Sequence, residues 1–280
     1  MRKNTKFGVL YIVATPIGNL EDISKRAVNT LSNVSLCAVE NTRNSKKLMN
    51  KYNIGTKMFS YHKYSEESKL DLLISKLKSG NDIALISDAG TPLISDPGYL
   101  LVNKAIDEGV KVVPIPGPSS LISALSVSGL PSDKFSFYGF PPRQKKALKA
   151  FLIKIVSDEK TSIVFEAKSR IKESLKILAE ISPDTNIFLA REMTKLYETF
   201  YKGSARKVLE EISSNQNEVK GEFVLVIEGK TKGEEHIFLS KDQEKVLDIL
   251  MQSLDKNEAL ILASKSFGIK KNSLYKLLLK

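Results

Sequence analysis

Short apolar runs, each ending in a cluster of proline, glycine and small polar residues, recur along the first part of the chain. Ile83-Ala84-Leu85-Ile86 is apolar at every position, which predicts a strand buried on both faces. Strands are expected at 10–14, 34–39, 57–61, 83–87 and 110–115, separated by amphipathic stretches at 22–32, 43–52, 66–79 and 99–108. This alternation is the βαβ pattern of a largely parallel sheet.

A helix through Ala124 is expected to end at Gly129, followed by a strand over 135–140 and the basic run Arg143–Lys149. Further strands are read at 162–165, 186–190, 198–201 and 222–227, the last two suggesting antiparallel pairing. Past Gly229 two helical stretches, roughly 241–254 and 256–266, lead into a lysine-rich tail. The chain is therefore divided into an α/β domain at 1–117, a second α/β domain with a mixed sheet at 118–230, and a small basic helical extension at 231–280. There is no internal repeat.

Three strand ends carry the tight turns. Ser87-Asp88-Ala89-Gly90-Thr91-Pro92-Leu93-Ile94-Ser95-Asp96-Pro97-Gly98 follows the run at 83–86; Thr15-Pro16-Ile17-Gly18-Asn19-Leu20 and Pro114-Ile115-Pro116-Gly117-Pro118 follow two others. Such clusters are also ordinary surface-turn chemistry. If the three strands are neighbours in one parallel sheet, however, their turns line a single crevice at the edge where open α/β sheets bind ligands. Neither G-x-G-x-x-G with a downstream acid nor G-x-x-x-x-G-K-[ST] is present, so dinucleotide and P-loop nucleotide binding lose their usual support.

With 43 Lys and Arg against 32 Asp and Glu, the formal net charge is +11, which favours a polyanionic partner. A generally Lys-rich surface accounts for the same number equally well. The single Cys37 lies in an apolar run and excludes an intramolecular disulfide framework; it is read as a buried thiol in a reducing cytoplasm. Two histidines and one cysteine cannot assemble a His/Cys metal site, so no metal is expected. The basic N-terminus leads into an apolar stretch broken at Pro16 and Gly18, neither a signal peptide nor a membrane span, and no membrane association is expected.

The Thr15–Leu20 turn, the Ser87–Gly98 loop, Ser128-Gly129-Leu130-Pro131, Arg191-Glu192-Met193-Thr194-Lys195 and Lys220-Gly221-Glu222 occur in an order and at spacings that resemble the tetrapyrrole-methylase superfamily. More narrowly, they resemble its branch of bacterial small-subunit rRNA cytidine 2′-O-ribose methyltransferases, and nearly the whole chain is covered. The resemblance implies a two-domain fold with S-adenosyl-L-methionine in the cleft between domains. It also implies a homodimer, and a substrate that is the small ribosomal subunit or its rRNA, methylated on a cytidine ribose in the decoding region. A precorrin-type tetrapyrrole C-methyltransferase and a non-catalytic RNA-binding assembly factor are the alternatives; the basic charge argues against the first.

For the cofactor the resemblance carries over Pro16, Gly18, Asp88, Ala89, Gly90, Thr91, Pro116 and Gly117, while Asp96-Pro97-Gly98 is read as shaping the loop. Ribose methylation needs a group to take the hydroxyl proton. Lys195 with Glu192 and Glu222 is the first choice and Glu166 another, although domain-interface ion pairs suit the same residues. RNA contacts are expected from Arg43, Arg143, Lys145, Lys146, Arg170, Lys270 and Lys271, and His62 beside Tyr61 and Tyr64 suits either base stacking or a surface aromatic cluster. Two positions depart from the branch's pattern: Ser169 stands where a histidine is usual, so a role of that imidazole does not carry over although Glu166 and Arg170 do, and Asn41 stands where an aspartate is usual and cannot be a base.

Overall fold

The structure is a computed structural model that describes residues 7–62, 65–214, 221–230, 239, 241–269, 271, 274 and 275. Five strands form the first sheet: β1 (Val9–Val13), β2 (Leu36–Val39), β3 (Met58–Ser60), β4 (Ile83–Ile86) and β5 (Lys111–Ile115), all parallel, in the order β3-β2-β4-β1-β5. The uniformly apolar β4 is buried on both faces because helices cover both. Ile83 and Leu85 join a core with Leu73 and Leu77 of α3 (Glu66–Lys78) and Leu101 of α4 (Tyr99–Asp107). Ala84 and Ile86 face the other way, toward Leu31 of α1 (Lys25–Asn33) and Leu48 of α2 (Thr42–Lys51).

Helix starts follow local chemistry. The Ser24 side chain accepts the Ala27 N–H at the head of α1, and the Asn41 side chain accepts those of Arg43 and Asn44 at the head of α2. Asn41, the amide where a carboxylate is usual, thus works as a helix cap.

The second sheet has the order β6-β7-β10-β8-β9, formed by β6 (Phe135–Phe137), β7 (Thr161–Ala167), β8 (Asn186–Arg191), β9 (Thr199–Ser204) and β10 (Glu222–Ile227). β6 runs parallel to β7 and every other pair is antiparallel. One face is covered by α6 (Lys145–Val156), α7 (Ile171–Ile181) and α8 (Ala205–Ser214), through Leu152, Leu175 and Val208. The other face receives α5 (Ser120–Ser128), whose Leu121, Ala124 and Leu125 pack on Ile163, Phe188 and Val226. Gly129, with φ +62°, ends α5 in the left-handed conformation that glycine adopts without steric cost. Helices α9 (Lys241–Ser253) and α10 (Lys256–Phe267) close on a small core of Leu247, Leu260, Ala263 and Leu274.

Several expectations are corrected. The strand expected over 135–140 stops at Phe137. The segments read at 198–201 and 222–227 do not pair with each other, because β8 lies between β9 and β10 and is antiparallel to both. Helices α6, α7 and α8 were not expected. The basic run at 143–149 opens α6, where Leu148, Leu152 and Ile155 recur on one face and the lysines take the other.

Candidate active site

Strands β4, β1 and β5 are neighbours, so their three turns meet at one edge of the first sheet. The turns are stitched together by their own backbone. The Thr15 N–H donates to the Gly90 carbonyl at 2.8 Å and the Gly90 N–H returns to Thr15 at 3.0 Å. The Thr91 hydroxyl donates to the Pro118 carbonyl at 3.1 Å. Within the loop after β4, Gly90 (φ +80°) and Gly98 (φ +128°) use glycine's freedom, but Leu93 (φ +73°) and Ser95 (φ +68°) are left-handed with full side chains. Strain of this kind persists only where surroundings impose it, and it concentrates at functional sites.

Over this edge lies a cavity of about 240 Å³, open to solvent, between the loops of the first sheet and the exposed end of the second. Ala89, Gly90, Thr91, Ile94, Ser95 and Asp96 form one wall, and Ile17, Ser119 and Ser120 extend it. Phe140, Phe165, Ala190, Met193, Glu222 and Val224 form the other. Among the described residues no lysine, arginine or histidine lines it, and Asp96 and Glu222 are its two ionisable side chains. Burial lifts the Asp96 carboxyl; the Ser87 hydroxyl hydrogen-bonded to it works in the opposite sense, while the charges of Glu40 and Asp88 add to the rise, giving about 6. Glu40 is likewise raised, first by burial and then by Asp88, against the Asp88 N–H that donates to it at 3.3 Å.

At the cavity's rim the two halves interlock. Lys195 Nζ lies 3.0 Å from Glu192 Oε1 and 2.9 Å from Glu222 Oε2, and Glu192 Oε1 also accepts the Glu222 N–H at 2.8 Å. Burial alone would lift the Glu192 carboxyl, but the Glu222 N–H and the ammonium hold it below the usual carboxylate range. Burial alone would lower Lys195; its hydrogen bonds to Glu222 and Glu192 raise it instead. Glu192 (φ +52°) and Thr194 (φ +63°) are again left-handed. The turn from the first half presses against them: the Thr194 hydroxyl oxygen accepts the Asn19 N–H at 3.1 Å, and a Cβ on Gly18 would fall 2.8 Å from the Met193 carbonyl oxygen.

Of the residues expected to hold the cofactor, Ala89, Gly90 and Thr91 line the cavity. Pro16, Gly18, Asp88, Pro116 and Gly117 do not, and they shape the turns around it. Gly117 approaches Ala14, where an added Cβ would lie 3.0 Å from the alanine methyl, and the Asp88 carboxylate accepts the Asn44 side-chain amide at 2.7 Å. Among the expected catalytic residues, Glu222 reaches the cavity, while Lys195 and Glu192 stand behind it.

Glu166 is a correction. In β7 Phe165 faces the cavity, so the next side chain points through the sheet to α7, where the buried carboxylate accepts the Ser174 hydroxyl at 2.5 Å and pairs with Arg170 at 3.7 Å. Arg170 is corrected with it, because its guanidinium donates to the Pro141 and Pro142 carbonyls and is spent on the linker. Arg43, Arg143, Lys145 and Lys146 are exposed, Lys145 facing Glu173 at 3.8 Å, and Lys271 bonds the Asn257 side chain. Lys270 lies outside the described residues. Asp96 and the apolar second wall were missed. Asp-Pro-Gly reads as turn chemistry, and the wall is contributed by alternate positions of strands whose register no local pattern gives.

The donor set decides what fits. Among the described residues the lining offers no cation to the phosphates of a nucleoside triphosphate. S-adenosylmethionine carries a positive sulfonium, a methyl and a flat adenine, which suit two carboxylates and apolar walls of Ile17, Phe165 and Met193. Ser119 and Ser120, at the N-terminus of the nine-residue α5, suit its carboxylate.

The model of the Tetrapyrrole (Corrin/Porphyrin) Methylases matches residues 9–209. A protein of Haemophilus influenzae named Ribosomal RNA small subunit methyltransferase I is 43% identical over 96% of this chain and 95% of its own length. Its namesake in Vibrio cholerae is 46% identical over 96% and 93%. Among solved structures, a diphthine synthase superposes with TM-score 0.61 at 17% identity, covering 80% of this chain and 91% of that one. A uroporphyrin-III-C-methyltransferase from Thermus thermophilus gives 0.54, also at 17% identity, over 79% and 94%.

Proposed function

Because the chain belongs to the tetrapyrrole methylase family, we propose that it methylates a cytidine of small-subunit ribosomal RNA on the ribose 2′-oxygen, in the decoding region. It is an S-adenosylmethionine-dependent rRNA methyltransferase, as the names and near-complete coverage of its relatives imply. The observation that carries the reading is a largely apolar cavity with two carboxylates and, among the described residues, no cation, in a chain of net charge +11. Positive charge is kept off the cavity and left for a polyanion outside it.

When bound, S-adenosylmethionine supplies an electrophilic methyl on a sulfonium sulfur. The chain's part is mostly positioning, since an in-line transfer depends on holding nucleophile and methyl at contact distance and in line. Ile17, Phe165 and Met193 would wall the reacting carbon off from water, and Glu222 would complement the positive charge. Lys195, held as an ammonium by two carboxylates, fixes Glu222 at the rim. Arg43, Arg143, Lys145, Lys146 and Lys271 contact RNA phosphates in this reading. The protein works in the cytoplasm, where subunits are assembled, as a homodimer; adjacent Leu196 and Tyr197, 88% and 70% exposed, support a partner surface.

The test is incubation with radiolabelled S-adenosylmethionine and small subunits from a strain lacking its own ribose methylase, with the label mapped by nuclease digestion and mass spectrometry. One 2′-O-methylcytidine is the expected product. Label on a base, or none in a protein that binds no cofactor, overturns the reading.

A further inference from the structure

Transfer of a methyl to a ribose hydroxyl releases a proton, and the chain must supply its acceptor. The acceptor has to face the cavity, lack a cationic partner and carry an oxygen free to bond the hydroxyl. Glu222 faces the cavity but is held by Lys195 at 2.9 Å. Glu192 is tied to the same ammonium and to a backbone N–H, Glu166 lies behind the second sheet, and Glu40 and Asp88 do not line the cavity. Asp96 lines the cavity, has no ion pair among the described residues, and has a single side-chain hydrogen bond, to Ser87, acting on its carboxylate.

Its setting suits the task. Ser95, which precedes it, is left-handed, as is Leu93, so the backbone is bent out of its preferred conformations to bring this stretch to the cavity wall. The groups acting on its charge are the Ser87 hydroxyl, hydrogen-bonded to it, and the carboxylates of Glu40 and Asp88. With two like charges nearby and no cation among these groups, proton affinity rises toward neutrality, where a general base works best.

We propose that Asp96 is the general base of the reaction. The proposal rests on the reading of the chain as a ribose methyltransferase. As the 2′-oxygen forms its bond to the methyl carbon, the carbon–sulfur bond breaks with its electron pair going to sulfur, and the hydroxyl proton passes to the Asp96 carboxylate. Neutral thioether, methylated ribose and protonated Asp96 leave charge and atoms balanced. The proton goes to solvent through the cavity mouth after release.

The test compares wild type, Asp96→Asn and Asp96→Glu in three measurements. These are calorimetric binding of S-adenosylmethionine, single-turnover transfer to small subunits as a function of pH, and carboxyl 13C titration of the cofactor-free protein. The expected result is that Asp96→Asn binds the cofactor within about threefold of wild type, loses about 10²- to 10⁴-fold in transfer rate, and lacks both the acid limb of the pH–rate profile and one carboxyl titrating near 6. Asp96→Glu regains part of the rate together with the acid limb. A wild type that methylates ribose alongside an Asp96→Asn of equal rate overturns this proposal alone. So does a variant whose only loss is cofactor affinity, which would make Asp96 a ligand of the donor. A wild type that methylates no ribose overturns it together with the function it rests on.

Discussion

Gly18→Ala tests whether the cavity depends on the contact between the two halves. The added Cβ would lie 2.5 Å from Lys195 Cγ, 2.6 Å from the Thr194 hydroxyl oxygen and 2.8 Å from the Met193 carbonyl oxygen. The lysine stem can give a little, although its head is fixed by two carboxylates. The Thr194 oxygen is anchored by the Asn19 N–H, and the Met193 oxygen is backbone. Relief therefore requires the turn at Ile17–Gly18 and the segment at Met193–Lys195 to separate, and both Ile17 and Met193 line the cavity. Forcing a methyl into a closed contact costs about 1–3 kcal/mol. If that cost falls on the closed, cofactor-binding arrangement, it weakens binding by about 5- to 150-fold at about 1.4 kcal/mol per tenfold. Isothermal calorimetry with S-adenosylmethionine measures this, with circular dichroism to confirm the fold. Gly55→Ala is the control, because a Cβ there meets nothing within 4 Å. Gly18→Ala binding the cofactor as tightly as Gly55→Ala would refute the argument that this turn seals the cavity.

Lys195→Met should lower stability by about 1 kcal/mol near neutral pH, a figure reduced for partial exposure. The depressed Glu192 contributes above the ordinary carboxylate range and loses its contribution as pH falls through its folded value; the raised Lys195 contributes below the ordinary lysine range and loses it at higher pH. Urea midpoints should therefore differ most between those limits and converge in acid, and a constant offset at all pH values would contradict the assignment. Glu166→Ala should cost about 2–4 kcal/mol, since Ser174 and Arg170 lose a buried partner. The turnover of its folded fraction should stay within about twofold, and a tenfold fall in that turnover would return Glu166 to the active site. Cys37, whose thiol is driven up by complete burial, should resist iodoacetamide in the native protein and react on unfolding, as followed by mass spectrometry. Rapid native labelling would place it at the surface.

The first wall of the site was legible because parallel strands buried on both faces leave continuous apolar runs, and their ends must turn sharply. Ile83–Ile86 and the turns after it, after Val13 and after Ile115 announce themselves without tertiary information. The second wall was not. Phe165 and Glu166 are adjacent in sequence and lie on opposite faces of β7, so assigning either to the cavity requires knowing which face α7 covers. Lys195 and Glu192 were found from the resemblance, but their role as a rim clasp needed the approach of Gly18 and Gly221 from distant parts of the chain. Helix α6 was hidden by its own lysines, which look like a charged run until Leu148, Leu152 and Ile155 are seen to share a face.

The position of β1 between β4 and β5 also governs the order in which the protein can acquire structure. Leu10 stands opposite Ile83 on one side and Val112 on the other, and β1 has no hydrogen-bonded strand partner nearer in sequence. β1 therefore waits, with its apolar residues uncovered, until β4 and β5 have been synthesised. Closing such long loops before any contact compensates makes folding slow and leaves the early chain exposed to aggregation. A nascent chain stopped before Lys111 lacks one neighbour of β1, and a chain stopped before Ile83 lacks both. The arrangement that gathers three turns around one cavity thus delays the cavity's first wall until β5 is in place, and the second wall waits for β10.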